Sequence, residues 1–144
     1  MSPARRSSKS KSDRVRSGYQ KVVKGLTFEQ KVTEKYGRKG YKPIRTRWRT
    51  KTYGEIDILL EREKGTIFKR KERILVECKN KDVVTVKEVV KFVKKVELYA
   101  KNNRDVEVYG LLVYTGKLEP EAKSYIKKLP EDMRNLIKVE KMRP

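Results

Sequence analysis

Gly54-Glu55-Ile56-Asp57-Ile58-Leu59-Leu60-Glu61 and, shortly after it, Ile74-Leu75-Val76-Glu77-Cys78-Lys79 alternate apolar and charged residues with the period of a β-strand. In the first, Ile56, Ile58 and Leu60 share one face and Glu55, Asp57 and Glu61 the other. In the second, Ile74, Val76 and Cys78 face inward, with Glu77 and Lys79 opposite. Residues two apart on a strand project from the same side, so Glu77 and Lys79 are neighbours. An antiparallel pairing that sets Asp57 across from Glu77 centres the hairpin near Ile67. The charged segment Arg62 to Arg73, with its turn signal Lys64-Gly65, is then a loop or a ribbon projecting beyond the sheet.

Two carboxylates and an ammonium on one sheet face are hard to explain as packing, and make most sense around a divalent cation. Oxygen donors with no Cys or His set suit Mg²⁺ or Mn²⁺ rather than Zn²⁺. Such a metal polarises a phosphate and lowers the pKa of a bound water. Lys79 then orients that water or stabilises the charge that builds on phosphorus. The bland alternative is ordinary solvated alternation, apolar inside and charged outside. Against it stand acids on both strands, a spacing that allows a hairpin, and a long amphipathic helix that follows at once and is placed to enclose the charged face.

Outward from these strands the pattern continues. Upstream, Ile44 to Lys51 alternates strictly: Ile44, Thr46, Trp48 and Thr50 on one side, Arg45, Arg47, Arg49 and Lys51 on the other. Four cations in a row suit a phosphate track, with a charge-protected edge strand as the alternative, and Trp48 reads as core. Before it, Thr27-Phe28-Glu29-Gln30 reads as a capping box, and Phe28, Val32 and Tyr36 recur every four residues in a helix ending near Gly37 or Gly40. Residues 1–24 form a Ser-rich basic tail, with Arg5 and Arg6 among its phosphate-binding candidates; it buries too little to offset its ordering entropy. Residues 25–144 form one folded domain. Downstream, Thr85-Val86-Lys87-Glu88 is a second capping box, opening a helix with the stripe Val86, Val89, Val90, Val93, Val96 and Ala100. Val106 to Tyr114 has the continuous apolar character of a central strand. Pro120 opens a helix carrying Ala122, Tyr125, Ile126 and Leu129, and Leu136 to Val139 forms a last strand. The order is α-β-β-β-α-β-α-β, an α/β fold.

Composition points the same way. The 144 residues hold 39 Lys+Arg against 19 Asp+Glu, a net charge of +20. So positive a surface repels itself without a polyanionic partner, and nucleic acid is the obvious one. A thermophile's charge-rich surface is the alternative, but it raises Lys and Glu together. The absence of histidine excludes Ser-His-Asp triads and His-based zinc sites, and a single cysteine excludes an internal disulfide. With no apolar run of membrane-spanning length and no apolar signal core, the expectation is a soluble cytoplasmic protein with no membrane partner and no small-molecule cofactor.

Gly54-Glu55-Ile56-Asp57 followed by Val76-Glu77-Cys78-Lys79-Asn80 resembles the signature of the PD-(D/E)XK nuclease superfamily, and within it Mrr-like restriction endonucleases and archaeal Holliday-junction resolvases. The resemblance extends from about Gly25 to Val139. It implies a restriction-endonuclease-like mixed central sheet flanked by helices, Mg²⁺-dependent cleavage of phosphodiester bonds, and a homodimer. Carried onto this chain, Asp57 and Glu77 are metal ligands, Lys79 is the catalytic lysine, and Cys78 contributes its backbone carbonyl. Glu29 matches the first-helix acid of many members; it borders the helix's apolar stripe, where it either faces the sheet or serves the helix dipole. Glu55, on the face of Asp57, is a reserve ligand. The chain departs from the family in having Ile56 before Asp57 and a long 62–73 stretch. The expected function is a DNA endonuclease, whether junction resolvase, restriction-type or repair enzyme. The alternatives are a non-catalytic basic DNA-binding protein on the same fold and a protein acting on RNA. The Lys and Glu content points to a thermophilic source.

Overall fold

The computed structural model describes residues 28–144; the Thr27 cap and the basic tail with Arg5 and Arg6 lie outside the described residues. Helix α1 covers residues 28–37 and buries Phe28, Val32 and Tyr36, the four-residue stripe expected of it. It closes in a Schellman motif: Tyr41 N–H donates to the Tyr36 carbonyl at 3.1 Å and Gly40 N–H to that of Gly37 at 3.0 Å. Gly40 takes φ 95° to make this turn, and the Tyr36 and Tyr41 rings meet edge-on across it.

The chain then runs β1 (Lys42–Thr50), β2 (Gly54–Lys64), β3 (Arg70–Lys79), β4 (Val83–Val84), α2 (Val86–Asn102), β5 (Glu107–Tyr114), β6 (Lys117–Leu118), α3 (Pro120–Lys127), α4 (Glu131–Arg134) and β7 (Ile137–Lys141). One five-stranded sheet has the order β1-β2-β3-β5-β7, antiparallel across its first two pairings and parallel across its last two. This is the mixed α/β sheet the sequence predicts, with three short additions: β4 and β6, which pair with each other, and α4. The capping box at Thr85 and Glu88 is present, and Pro120 sits in the first turn of α3.

Both faces of the sheet are covered. Ile58, Leu60, Ile74, Val76, Leu111 and Val113 pack with α1, while Ile56, Leu59, Leu75, Val108 and Leu112 pack with α2. The α2 stripe differs in part from expectation. Phe92 and Tyr99 are buried with Val89, Val93 and Val96, whereas Val90 and Ala100 are only half-buried. Gly110 lets α2 approach β5: a Cβ there would stand 2.5 Å from Val96 Cγ2.

The β2–β3 register pairs Ile58 with Val76 and Lys64 with Arg70, so the hairpin is centred on Ile67 as the spacing predicts. Residues 62–73 are a ribbon rather than a loop. Its charged pattern hides one buried acid: Glu72 is 3% exposed, held by Arg62 at 2.5 Å and by the Tyr41 hydroxyl at 3.4 Å.

Strict alternation fails at one place in β2 and two in β1, the first of these a register shift against β2 between Pro43 and Arg45. Ile56 packs toward α2, yet Ile58 packs toward α1, so the two do not share a face. In β1, Thr46 lines a cavity beside α1 with Ile58, whereas Trp48 packs in the α2 cluster with Ile56. Arg47 between them has φ 48°, a left-handed conformation uncommon for a residue with a Cβ. The expected single row of cations is therefore broken. Arg45 lies over the Trp48 ring, 5.3 Å from its centroid, while Arg47 turns to Glu29 on α1.

Candidate active site

Asp57 occupies the position where β2 changes face. The β2–β3 ladder stops one pair short of it, at Ile58 and Val76. Beyond that point the Cys78 amide finds its acceptor in a side chain: it donates to Asp57 Oδ2 at 2.8 Å. This bond fixes Asp57 against the end of β3, beside Glu77. The placement expected from the hairpin spacing is thus reached through a break in the ladder rather than through a regular cross-strand pair.

Asp57, Glu77, Cys78 and Lys79 line one cavity of about 300 Å³, with Tyr53, Gly54 and Glu55 from the β1–β2 corner and Lys91 and Lys95 from α2. Among the described residues no three Asp, Glu, Cys or His side chains form a ready metal cage. The oxygen donors that do converge are the Asp57 and Glu77 carboxylates. Burial, above all, pushes Asp57 up to about 6; the Cys78 amide opposes this, and the charges of Glu77, Glu29 and Glu55 add to it.

Lys79 is held from two sides. Its ammonium lies 3.5 Å from Glu77 and 3.2 Å from Glu88. Burial pulls its pKa down, but these carboxylates outweigh burial and keep the ammonium above its ordinary value. Glu88 joins this site to the helix cap. Its Oε1 accepts the Thr85 amide at 3.0 Å, while its Oε2 faces Lys79 and, at 2.9 Å, Lys81. Burial raises the Glu88 pKa, but the Thr85 amide and the two lysines prevail and set it at about 2. The Cys78 thiol is pushed up, first by burial and then by Asp57, Glu29 and Glu77, which disfavours its thiolate form.

Lys95 is the functional candidate that sequence reasoning missed. Its ammonium donates to Glu77 Oε1 at 3.1 Å and to the Glu55 carbonyl at 2.5 Å. The available signal is its place beside Val96 and Phe92 on the sheet-facing border of α2, one turn beyond Lys91. Glu29 does not line this cavity. It pairs with Arg47 at 3.3 Å in a neighbouring one, near enough to act on Asp57 by charge. Glu55 is exposed at the rim. Arg49 and Lys51 are exposed at the β1 end next to the cavity.

The profile of the Mrr-type restriction endonuclease family matches residues 21–141. Among solved structures, EndoMS in complex with double-stranded DNA shares 22% identity at TM-score 0.51, covering 73% of this chain and 37% of that one. A repair endonuclease from Pyrococcus abyssi shares 20% at TM-score 0.54, covering 85% and 45%. The chain spans less than half the length of either, and at these identities the likeness is one of fold. No curated protein matches the chain. Among the described residues no helix is long and apolar enough to cross a membrane.

Proposed function

Since this chain belongs to the Mrr-type restriction endonuclease family, we propose that it hydrolyses phosphodiester bonds of DNA with a divalent cation, at the cavity where Asp57, Glu77 and Lys79 converge. The observation that carries this reading is the Asp57–Cys78 bond: it holds a carboxylate out of the strand ladder, beside a second carboxylate and a lysine, in a cavity open to a substrate. Mg²⁺ or Mn²⁺ fits the donor set, because such ions bind through one or two carboxylates and fill the remaining positions with water and phosphate. Asp57, Glu77 and the Cys78 carbonyl would hold it, with Glu55 at the rim in reserve; Glu29, paired with Arg47 outside this cavity, would not. When bound, the cation supplies Lewis-acid polarisation of the phosphate and a more acidic water.

The protein's own groups do the rest. Glu77 and Glu88 keep Lys79 charged and in place, so its ammonium meets the negative charge that grows on the phosphate oxygens. Lys95 fixes Glu77 from the helix side. Arg45, Arg49 and Lys51 contact the DNA backbone, positioning it without reading sequence. Arg5 and Arg6 of the tail add further phosphate contacts. The enzyme acts as a homodimer.

The test is cleavage of labelled linear duplex, single-stranded and four-way-junction DNA in Mg²⁺, Mn²⁺ or EDTA, with wild type, Asp57→Asn and Lys79→Ala, and sedimentation velocity alongside. Metal-dependent cutting lost in both variants supports the reading, and the preferred substrate distinguishes resolvase, restriction and repair roles. Binding without cutting, the same in all three proteins, would leave a basic DNA-binding protein on a nuclease fold.

A further inference from the structure

The β2–β3 ribbon runs past the rest of the sheet. The last β1 pairing is Lys42 with Glu61, and the first β5 pairing is Glu72 with Glu107. Residues 62–71 therefore form a two-stranded arm with no strand on either side among the described residues. It carries Arg62, Lys64, Lys69, Arg70 and Lys71 against the lone acid Glu63. Arg62 and Lys64 lean back on Glu72, and Arg70 on Glu107. Neither Lys69 nor Lys71 joins these ion pairs, although Lys71 stands across the ribbon from Glu63.

At the tip of this arm stand Ile67 and Phe68, 84% and 85% exposed. The turn presents them by construction. Gly65 has φ 99°, and a Cβ on it would lie 2.4 Å from the Phe68 carbonyl, so the chain folds back tightly there and only glycine permits it. Two adjacent large apolar side chains at the end of a cationic ribbon mark an interaction site, and their chemistry suits a partner that is negative outside and apolar within. A second copy of this chain, at +20, is a poor match for the cations. Stacked base pairs behind two rows of phosphates match both features.

We propose that this arm is a second DNA-contacting element, with Lys69 and Lys71 on phosphates and Ile67 and Phe68 wedged into a base step. Apolar side chains used in this way partly unstack the step and kink the duplex. At about 3.3 Å per strand residue the tip stands roughly 30 Å from Glu77, on the order of nine base pairs along a duplex. Strand β1 joins the two ends, from Lys42 at the root of the arm to Thr50, three residues before Tyr53 at the cavity's corner. A duplex lying along this edge reaches both, and the protein then favours DNA that opens or bends easily at a fixed distance from the cut. The inference rests on the DNA reading above, but not on catalysis.

The experiment scores unstacking with catalysis switched off. Wild-type protein in EDTA is titrated into duplexes carrying 2-aminopurine at successive positions, beside an Ile67→Ser/Phe68→Ser variant whose exposed changes leave Tm unaltered. Wild type should raise 2-aminopurine fluorescence at one or two adjacent positions. The variant should abolish that rise and weaken duplex binding on the order of tenfold. No rise with wild type, or an equal rise with the variant, overturns the wedge. So does a tip that proves to serve another partner: Phe68-dependent sedimentation with phosphatidylserine vesicles, or a dimer that the variant dissociates, in either case without a fluorescence change. Mg²⁺-dependent cutting is measured separately. A fluorescence rise without cutting keeps the wedge and sinks the nuclease reading; cutting without a rise does the reverse.

Discussion

Glu88 serves the fold with one oxygen and the candidate site with the other, and substitutions can separate the two. Oε1 closes the capping box on Thr85, whose hydroxyl in turn accepts the Glu88 amide at 3.3 Å. Oε2 lies against Lys79 and Lys81. Glu88→Gln keeps an oxygen for the Thr85 amide but removes the charge that holds Lys79. Glu88→Ala removes both. The cap contributes about 1 kcal/mol, so Ala should lower Tm by roughly 3–6 °C. The ion pairs are partly exposed, and their loss in Gln costs no more than about 0.5 kcal/mol each. Cutting should fall on the order of tenfold in both variants, because a displaced Lys79 no longer meets the transition-state charge. The assays are thermal melts by circular dichroism and single-turnover cleavage. An Ala variant that cuts at the wild-type rate refutes the positioning role, and a Gln variant that melts as low as Ala refutes the assignment of Oε1 to the cap. The pH dependence carries a sign as well. Glu88 is depressed in the folded state to about 2 from an ordinary 4.5. Its charge therefore stabilises above pH 4.5, and that contribution is lost as pH falls toward 2. The Tm advantage of wild type over Glu88→Gln should be flat at neutral pH and shrink across that window.

Three further outcomes follow from packing and charge. Gly110→Ala places a methyl 2.5 Å from Val96 Cγ2 and 3.1 Å from both Ile137 Cδ1 and Phe92 Cζ; we expect a loss of about 1–3 kcal/mol in urea unfolding, partly restored by adding Val96→Ala. Glu72→Ala strips Arg62 and Tyr41 of a buried acceptor and should cost about 1–3 kcal/mol, with Glu72→Gln milder; an unchanged urea midpoint in Ala would show that the pair contributes nothing. Lys95→Met preserves the aliphatic stem but leaves Glu77 without its helix-side partner. Its cleavage rate should drop by about tenfold or more while duplex affinity stays within about twofold, since one cation among many is removed. A selective loss of affinity instead would place Lys95 in DNA binding.

The identity of the elements was legible in residue order, because it depends on local chemistry. Alternation marked β2 and β3, and the only pairing that brought Asp57 near Glu77 put the turn at Ile67, where it is. Thr85 with Glu88 marked the start of α2, and the glycines after Tyr36 marked the end of α1. The missing histidines and the single cysteine narrowed the chemistry before any fold was known. What needed the tertiary structure was every feature made by chain segments meeting. The face change at Arg47 and Asp57 is invisible to a period-two pattern, since it comes where Arg47 takes a left-handed φ and the β2–β3 ladder ends. Lys95 reaches Glu77 because the β3–α2–β5 crossover lays the helix over the strand ends, and a helical stripe alone says nothing of what it will cover. Glu72 looked like one more charge on a solvated ribbon, yet Arg62 and Tyr41 enclose it. Periodicity reports which side of a segment faces inward; which groups it then meets is decided by the docking of segments far apart in the chain.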